Sequence, residues 1–271
     1  MITRNVDCVI ERRLLVSYRI DPDQVQALLP DVFRPQLVNG HAVGGVCFIR
    51  MGALRPAHFP RAAGVTTENA AHRFAVEWDD DQGSHTGVWI PRRDTNSRTT
   101  AAMGASIFPG AYHHARFQVT ESADTIRIGV RSRDRAIQLS VSAAPATALD
   151  SQLFANLDEA ADFFRRGALG FSPSTAHGCL DGVHLHSTNW TARPMSISAM
   201  NSSLFDDATT FPEGSRALDS ALLMTNITAR WTADAATARG ITNTAAGTAV
   251  PIRDARLDKR ACPTGCVSDV A

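Results

Sequence analysis

Three short segments, Ala115–Val119, Thr125–Arg131 and Ile137–Ala143, follow one another at near-constant spacing with alternating character. Successive side chains of a strand point to opposite faces, so each run presents one face for burial. Strands joined by connections this short pair antiparallel, because a parallel return needs a crossover of a dozen or more residues. The pattern extends outward. Arg12–Ile20, Val43–Met51, Ala70–Trp78, Gly87–Ile90, Val183–Ser187, Met195–Met200 and Ala221–Trp231 also read as strands, giving about ten. Residues 52–66 carry Gly52, Pro56, Pro60 and Gly64 and read as a loop.

Helix signals are fewer. Asp21 is placed to cap a helix with Pro22 at its first position, and Pro30 stops it. Ser97–Ile107 reads as a second helix, closed by Phe108-Pro109-Gly110. Leu157–Arg166 is the clearest, with Asp158, Glu159 and Asp162 early and Arg165-Arg166 late, in the sense that suits the helix dipole. About ten strands and three helices in this order predict a mainly β (α+β) fold, an antiparallel sheet or barrel with a few helices outside it.

Charge excludes some partners. The 27 basic and 27 acidic residues cancel, leaving no overall field to draw nucleic acid or an anionic membrane. No apolar run approaches the ~20 residues of a membrane-spanning helix, and the first residues lack a leader's apolar stretch. Five widely spread cysteines form no disulfide framework. A cytoplasmic protein is therefore expected. Lys259 is the only lysine among the 27 basic residues, a bias with abundant alanine that points to a GC-rich, bacterial genome. Beyond Trp231 the chain turns to alanine, threonine and glycine. Residues 1–231 are expected to form the barrel domain and 232–271 a low-complexity, loosely structured tail. Truncation near residue 235 should then leave the melting temperature nearly unchanged.

Polar clusters mark the candidate site. Pro91-Arg92-Arg93-Asp94-Thr95-Asn96-Ser97 is the densest; Arg92 and Arg93 could hold a carboxylate with Asp94 orienting one of them, or Asp94 or Asn96 could cap a helix beside solvated arginines. In Thr67-Glu68-Asn69-Ala70-Ala71-His72-Arg73, alternation puts Glu68 and His72 on one strand face and Asn69, Ala71 and Arg73 on the other. Glu68 and His72 could serve as an acid/base pair, or be a surface carboxylate and a hydrogen-bonded histidine. Tyr112, His113 and His114 follow Gly110-Ala111. His184 and His186 share a face, but no third ligand stands at fixed spacing, and Cys262-x-x-x-Cys266 has no partner pair, so no metal site is expected. Without a G-x-G-x-x-G, Walker, G-x-S-x-G or H-E-x-x-H motif, no cofactor is expected either.

Several of these stretches together resemble the acetoacetate decarboxylase-like superfamily: Val16-Ser17-Tyr18-Arg19-x-Asp21, Leu28-Leu29-Pro30, Thr67-Glu68, and Phe108-Pro109-Gly110 leading into a strand. Pro91-Arg92-Arg93-Asp94-Thr95-x-Ser97, the segment from Phe108 to Phe117, Phe163-Phe164-Arg165-x-Gly167-x-x-Gly170-Phe171-Ser172, Ser203-x-Phe205 and Asp219-Ser220-Ala221-Leu222 resemble its uncharacterised bacterial branch, a domain of unknown function. The resemblance spans about residues 10–231. It implies a cone-shaped antiparallel β-barrel around a cavity that holds a small molecule. In the decarboxylase, two lysines follow an aromatic-proline dipeptide and one forms an imine with the keto acid; those positions are Gly110 and Ala111 here. Glu68 matches the family's site carboxylate.

Two readings follow from the resemblance. In one, the protein binds a small molecule through Arg92, Arg93, Asp94, Gly110, Tyr112 and His113. In the other, it is a non-covalent lyase- or isomerase-type enzyme acting on a small carbonyl or carboxylate compound, with Glu68 and His72 catalytic beside Arg92/Arg93. Both place Glu68, His72 and an arginine around one cavity, with space left by the missing lysines. Self-association into a homo-oligomer is left open.

Overall fold

A computed structural model describes residues 5–107, 110–173 and 180–233, with backbone alone over 103–107. Chain order is β1 (Val6–Ile20), α1 (Pro22–Gln26), β2 (Arg34–Pro35), β3 (Leu37–Val38), β4 (His41–Pro56), β5 (Val65–Asp80), β6 (Gly83–Thr95) and α2 (Arg98–Ile107). Then come β7 (Tyr112–Glu121), β8 (Ile126–Ser132), β9 (Gln138–Pro145), α3 (Leu157–Arg166), β10 (Leu169–Pro173), β11 (Leu180–Ser187), β12 (Arg193–Ser202) and β13 (Arg216–Ala233). The first two residues of the expected tail, Thr232 and Ala233, end β13; the rest, with Lys259 and the last two cysteines, lies outside the described residues, as do Phe108 and Pro109.

All the strands belong to one sheet, and it closes twice. The shared wall is β13-β1-β4-β5-β6, antiparallel throughout. From β6 the path β7-β8-β9-β12 returns to β13, making a larger ring. The shorter path β10-β11 also returns to β13, making a smaller one. The meander β7-β8-β9 pairs antiparallel as its spacing predicts.

Because the wall is shared, both of its faces are buried. Leu14, Val16, Tyr18 and Ile20 of β1 turn into the larger ring, with Phe48, Phe74, Val76, Trp78 and Leu139. Leu15 turns the other way and joins Val43, Cys47, Met224 and the α3 residues Ala160, Phe163 and Phe164. The α3 dipole is satisfied as expected, with Asn156 capping its first turn by accepting from the Glu159 amide at 2.9 Å. Gly45 marks the closest strand approach, where a Cβ would overlap the Val16 carbonyl oxygen.

Three sequence expectations are corrected. The region 52–66 is not a single loop, since β4 runs on to Pro56 through a register shift between Met51 and Leu54, and β5 begins at Val65. The strand read as Gly87–Ile90 does not stop before the Pro91–Thr95 cluster. The cluster forms the C-terminal end of β6, where Pro91 sits at a register shift between the pairs His72–Arg92 and Phe74–Trp89 and needs no ladder donor. The glycine- and proline-containing β10 and the two-residue β2 and β3 carry too little alternation to be read.

Candidate functional site

On β5 the two faces lead to different chemistry. Glu68 is 8% exposed and forms ion pairs with Arg12 of β1 and, at 2.6 Å, with Arg50 of β4. Both arginines also reach Glu121. Arg50 stands opposite Glu68 on one neighbouring strand and Arg12 opposite Arg50 on the next, so the sheet register builds this network. Arg92 and Arg93 are not its partners, as the family-based reading expects. Across the β5–β6 ladder Arg92 stands opposite His72 and Arg93 opposite Ala71, further along β5 than Glu68, whereas Arg50 stands directly opposite Glu68.

His72 is fully buried. Its ring stands 3.4 Å from the Ser202 hydroxyl and 6.0 Å from the Phe205 ring. Burial above all, helped by the positive charge of Arg92, pulls the imidazole down to about 3, so it is neutral at physiological pH. Arg92 donates to Asp94 at 2.9 Å and to Asp134 at 2.9 Å, and His113 Nδ1 lies 3.4 Å from Asp134. Burial raises the Asp94 carboxyl against the pull of Arg92. Burial also opposes ionisation of Asp134, yet the Ser132 hydroxyl, the Ala136 amide and Arg92 together hold its carboxyl at about 2. These groups are spoken for by one another.

A cavity of about 90 Å³ lies on the other face, inside the smaller ring. Ile49, Met51, Val88, Ile90, Val183 and Leu185 make it apolar. Asn69, Ala71 and Arg73 enter it from β5, Arg13 from β1, Cys47 from β4, Arg93 from β6 and Tyr112 from β7. The sequence-derived candidates therefore divide. Glu68, His72, Arg92 and Asp94 belong to the packed larger ring or its rim, and only Arg93 and Tyr112 line the cavity. Glu68 and His72 do not line the cavity that Arg93 enters.

Gly110 has φ +107°, and a Cβ there would overlap the Arg93 guanidinium, which lies 5.6 Å over the Tyr112 ring. The space expected from the missing lysine is filled by Arg93. The Gly110 amide donates to Asp181 at 2.9 Å, and burial raises the Tyr112 phenol to about 12.

Arg13 and Arg73 were not selected from sequence. Arg13 is 6% exposed, with Nε and Nη1 lacking any hydrogen-bond partner, and its guanidinium lies 5.0 Å over Trp190. Arg73 is 9% exposed and lies 4.8 Å over Phe164, and burial first, then the charge of Arg13, draws it down to about 10. Among the described residues, no Asp or Glu lines the cavity. A cation–π contact offsets about 2 kcal/mol, against several kcal/mol for each desolvated cation. The available signal is the second arginine of the Arg12-Arg13 pair, heading the apolar run Leu14-Leu15-Val16, and another arginine on the face opposite Glu68.

His184 and His186 sit with rings 4.3 Å apart, and His186 Nε2 lies 3.0 Å from the Thr232 hydroxyl. Among the described residues no three metal-ligating side chains converge, and no helix is long and apolar enough to cross a membrane.

A closed, mostly strand-built sheet with outer helices and an internal cavity is the acetoacetate decarboxylase-like fold. It superposes on acetoacetate decarboxylase from Legionella pneumophila with a TM-score of 0.55, 15% identity, and 85% of this chain and 87% of that one covered. The enduracididine biosynthesis enzyme MppR complexed with pyruvate gives 0.52, 11%, 84% and 87%. A further acetoacetate decarboxylase structure gives 0.51, 12%, 84% and 88%. The chain belongs to DUF2071, described as an uncharacterized conserved protein, whose profile matches residues 9–224. No curated protein matches the chain.

Proposed function

We propose that this protein is a small-molecule-binding barrel whose ligand occupies the cavity of the smaller ring and forms no imine with it. The observation that carries this reading is an apolar cavity into which Arg13 and Arg73 bring charge, with no acidic side chain among the described residues that line it. The superfamily fold, shared with a protein seen bound to pyruvate, is consistent with such a use. The alternative of a non-covalent lyase or isomerase working through Glu68, His72 and Arg92/Arg93 receives less support, since Glu68, His72 and Arg92 are paired or packed away from the cavity and only Arg93 lines it.

A panel of short carboxylates, ketones and alcohols, read by the shift in melting temperature, tests the proposal. A ligand at 100 times its Kd should add about 2.7 kcal/mol. Ala71→Phe, which fills the cavity, should abolish the shift while the fold is retained. A panel without any stabilising member would count against the cavity as a binding site.

Imine chemistry is expected to fail. With Gly110 and Ala111 at the lysine positions and Lys259 the only lysine, borohydride with acetoacetate or pyruvate should leave the barrel unmodified by mass spectrometry. A reduced adduct within residues 5–233 would contradict this.

A further inference from the structure

We propose that Arg13 and Arg73 form an oxyanion subsite at one side of the cavity, taking a small monoanion on an apolar body within reach of the Cys47 thiol. This rests on the reading of the cavity as a ligand site and adds the chemistry of the ligand and the residues that hold it. None of them is among the positions that correspond to the decarboxylase lysines or to Glu68.

Three independent features converge. The first is the register: Leu15 is paired with Cys47 and Cys47 with Ala71, and the cavity receives Arg13, Cys47, Ala71 and Arg73 from three adjacent strands. The second is the charge. Two buried guanidiniums act on one another, and the Cys47 sulfur acts on Arg73 as well, so the groups share one small region. The Arg73 guanidinium lies 4.8 Å over the Phe164 ring, and Arg13 leaves Nε and Nη1 without partners. Elsewhere in this wall, buried arginines are neutralised: Arg12 by Glu68 and Glu121, Arg92 by Asp94 and Asp134. The third is Asn69, whose amide nitrogen donates to Thr67 Oγ1 at 2.9 Å while its Oδ1, an acceptor, is buried without a partner; it marks an incompletely satisfied polar cavity wall and is not itself a contact to the anion.

Guanidinium is the group that matches a planar oxyanion with two parallel donors, and a carboxylate is the smallest common ligand of that kind. The walls set the remainder. Since a cavity of ~150 Å³ takes benzene, a space of about 90 Å³ suits a body of roughly three to five carbons. No carbonyl is required, because the cavity offers no amine to attack one. Access is available beside Arg13: an outer pocket of about 440 Å³, lined also by Arg165, His186 and Trp190, shares Arg13, Gly167, Ala168 and Leu185 with the inner cavity.

Cys47 allows the subsite to be read directly. Iodoacetate and iodoacetamide differ in little but charge. With either reagent the thiolate sulfur attacks the methylene carbon, an S–C bond forms, the C–I bond breaks, iodide leaves and the thiol proton passes to buffer. The full-length protein is treated with each, and Cys47 labelling is followed by peptide mass spectrometry with glutathione and Cys8 as references. The iodoacetate-to-iodoacetamide rate ratio at Cys47 should exceed the glutathione ratio at least tenfold, and isobutyrate should slow the iodoacetate reaction. Arg73→Met should bring the ratio back to the glutathione value, while Arg73→Lys should retain part of the preference. An unchanged Cys8 labelling rate in each variant shows that the fold is intact. Labelling by both reagents at the glutathione ratio would overturn the anion subsite and leave the cavity standing. Labelling by neither, with full labelling after denaturation, would overturn the cavity reading itself.

Discussion

Acidification from pH 7 to pH 4 is expected to cost the fold about 3 kcal/mol through His72 alone. Its imidazole has a folded-state pKa near 3 against 6.5 when free. The unfolded chain therefore binds a proton that the folded chain refuses throughout that interval, and stability falls as pH drops below 6.5. At ~1.4 kcal/mol per unit, the loss grows steadily and is complete only near pH 3. The window above pH 4 separates this effect from Asp134, whose lowered pKa of about 2 makes a contribution that is kept until the pH falls further. Urea unfolding of the wild type and of His72→Gln at several pH values between 4 and 7 measures it. The difference between the two slopes should be close to one proton near pH 5. Parallel slopes would mean that His72 titrates normally and is not enclosed by Phe205 and Ser202.

The second large effect concerns Glu68. Replacing it with leucine should cost roughly 3–5 kcal/mol, because Arg12 loses its buried counter-charge and keeps only the partly exposed Glu121. For a domain of this size that is on the order of 10 °C in melting temperature. Glu68→Gln keeps acceptor oxygen for Arg12 and Arg50 and should lose clearly less. Neither change should alter ligand occupancy of the cavity, since Glu68 faces the larger ring. A Glu68→Leu protein of normal stability that no longer binds ligand would reverse the assignment and restore the carboxylate to a functional role.

Gly110→Lys is expected to destabilise rather than rebuild a decarboxylase. A positive φ costs a side chain about 1–2 kcal/mol, and crowding against Arg93 adds roughly 1–3. Chemical denaturation together with acetoacetate turnover would check this, with a stable and active variant contradicting it.

Much of the architecture is legible in the sequence because it is written in local periodicity. The three-strand meander, the α3 helix with its charge asymmetry, and the opposite-face placement of Glu68 and Arg73 all depend on neighbours within a few residues. The site is less legible, because its key relations are non-local. Arg12 meets Glu68 across 56 positions, through β4 and two register shifts in the β1–β4 pairing that no local pattern specifies. Nor does alternation show which face of β5 carries the cavity when both faces are buried. Pro91 misleads for a related reason. It reads as a strand stop, yet β6 changes partners there, pairing with β10 at Val88–Trp89 and with β7 at Arg93–Thr95. A residue without an amide donor fits that switch.

The most direct test of the account is the electron density of a crystal of the purified protein soaked with isobutyrate. The account predicts density inside the smaller ring, with the carboxylate against Arg13 and Arg73 and the methyl groups toward Ile49 and Val183. Density on the Glu68–His72 face instead, or Arg73 turned onto a carboxylate of the chain with the cavity closed, would contradict it.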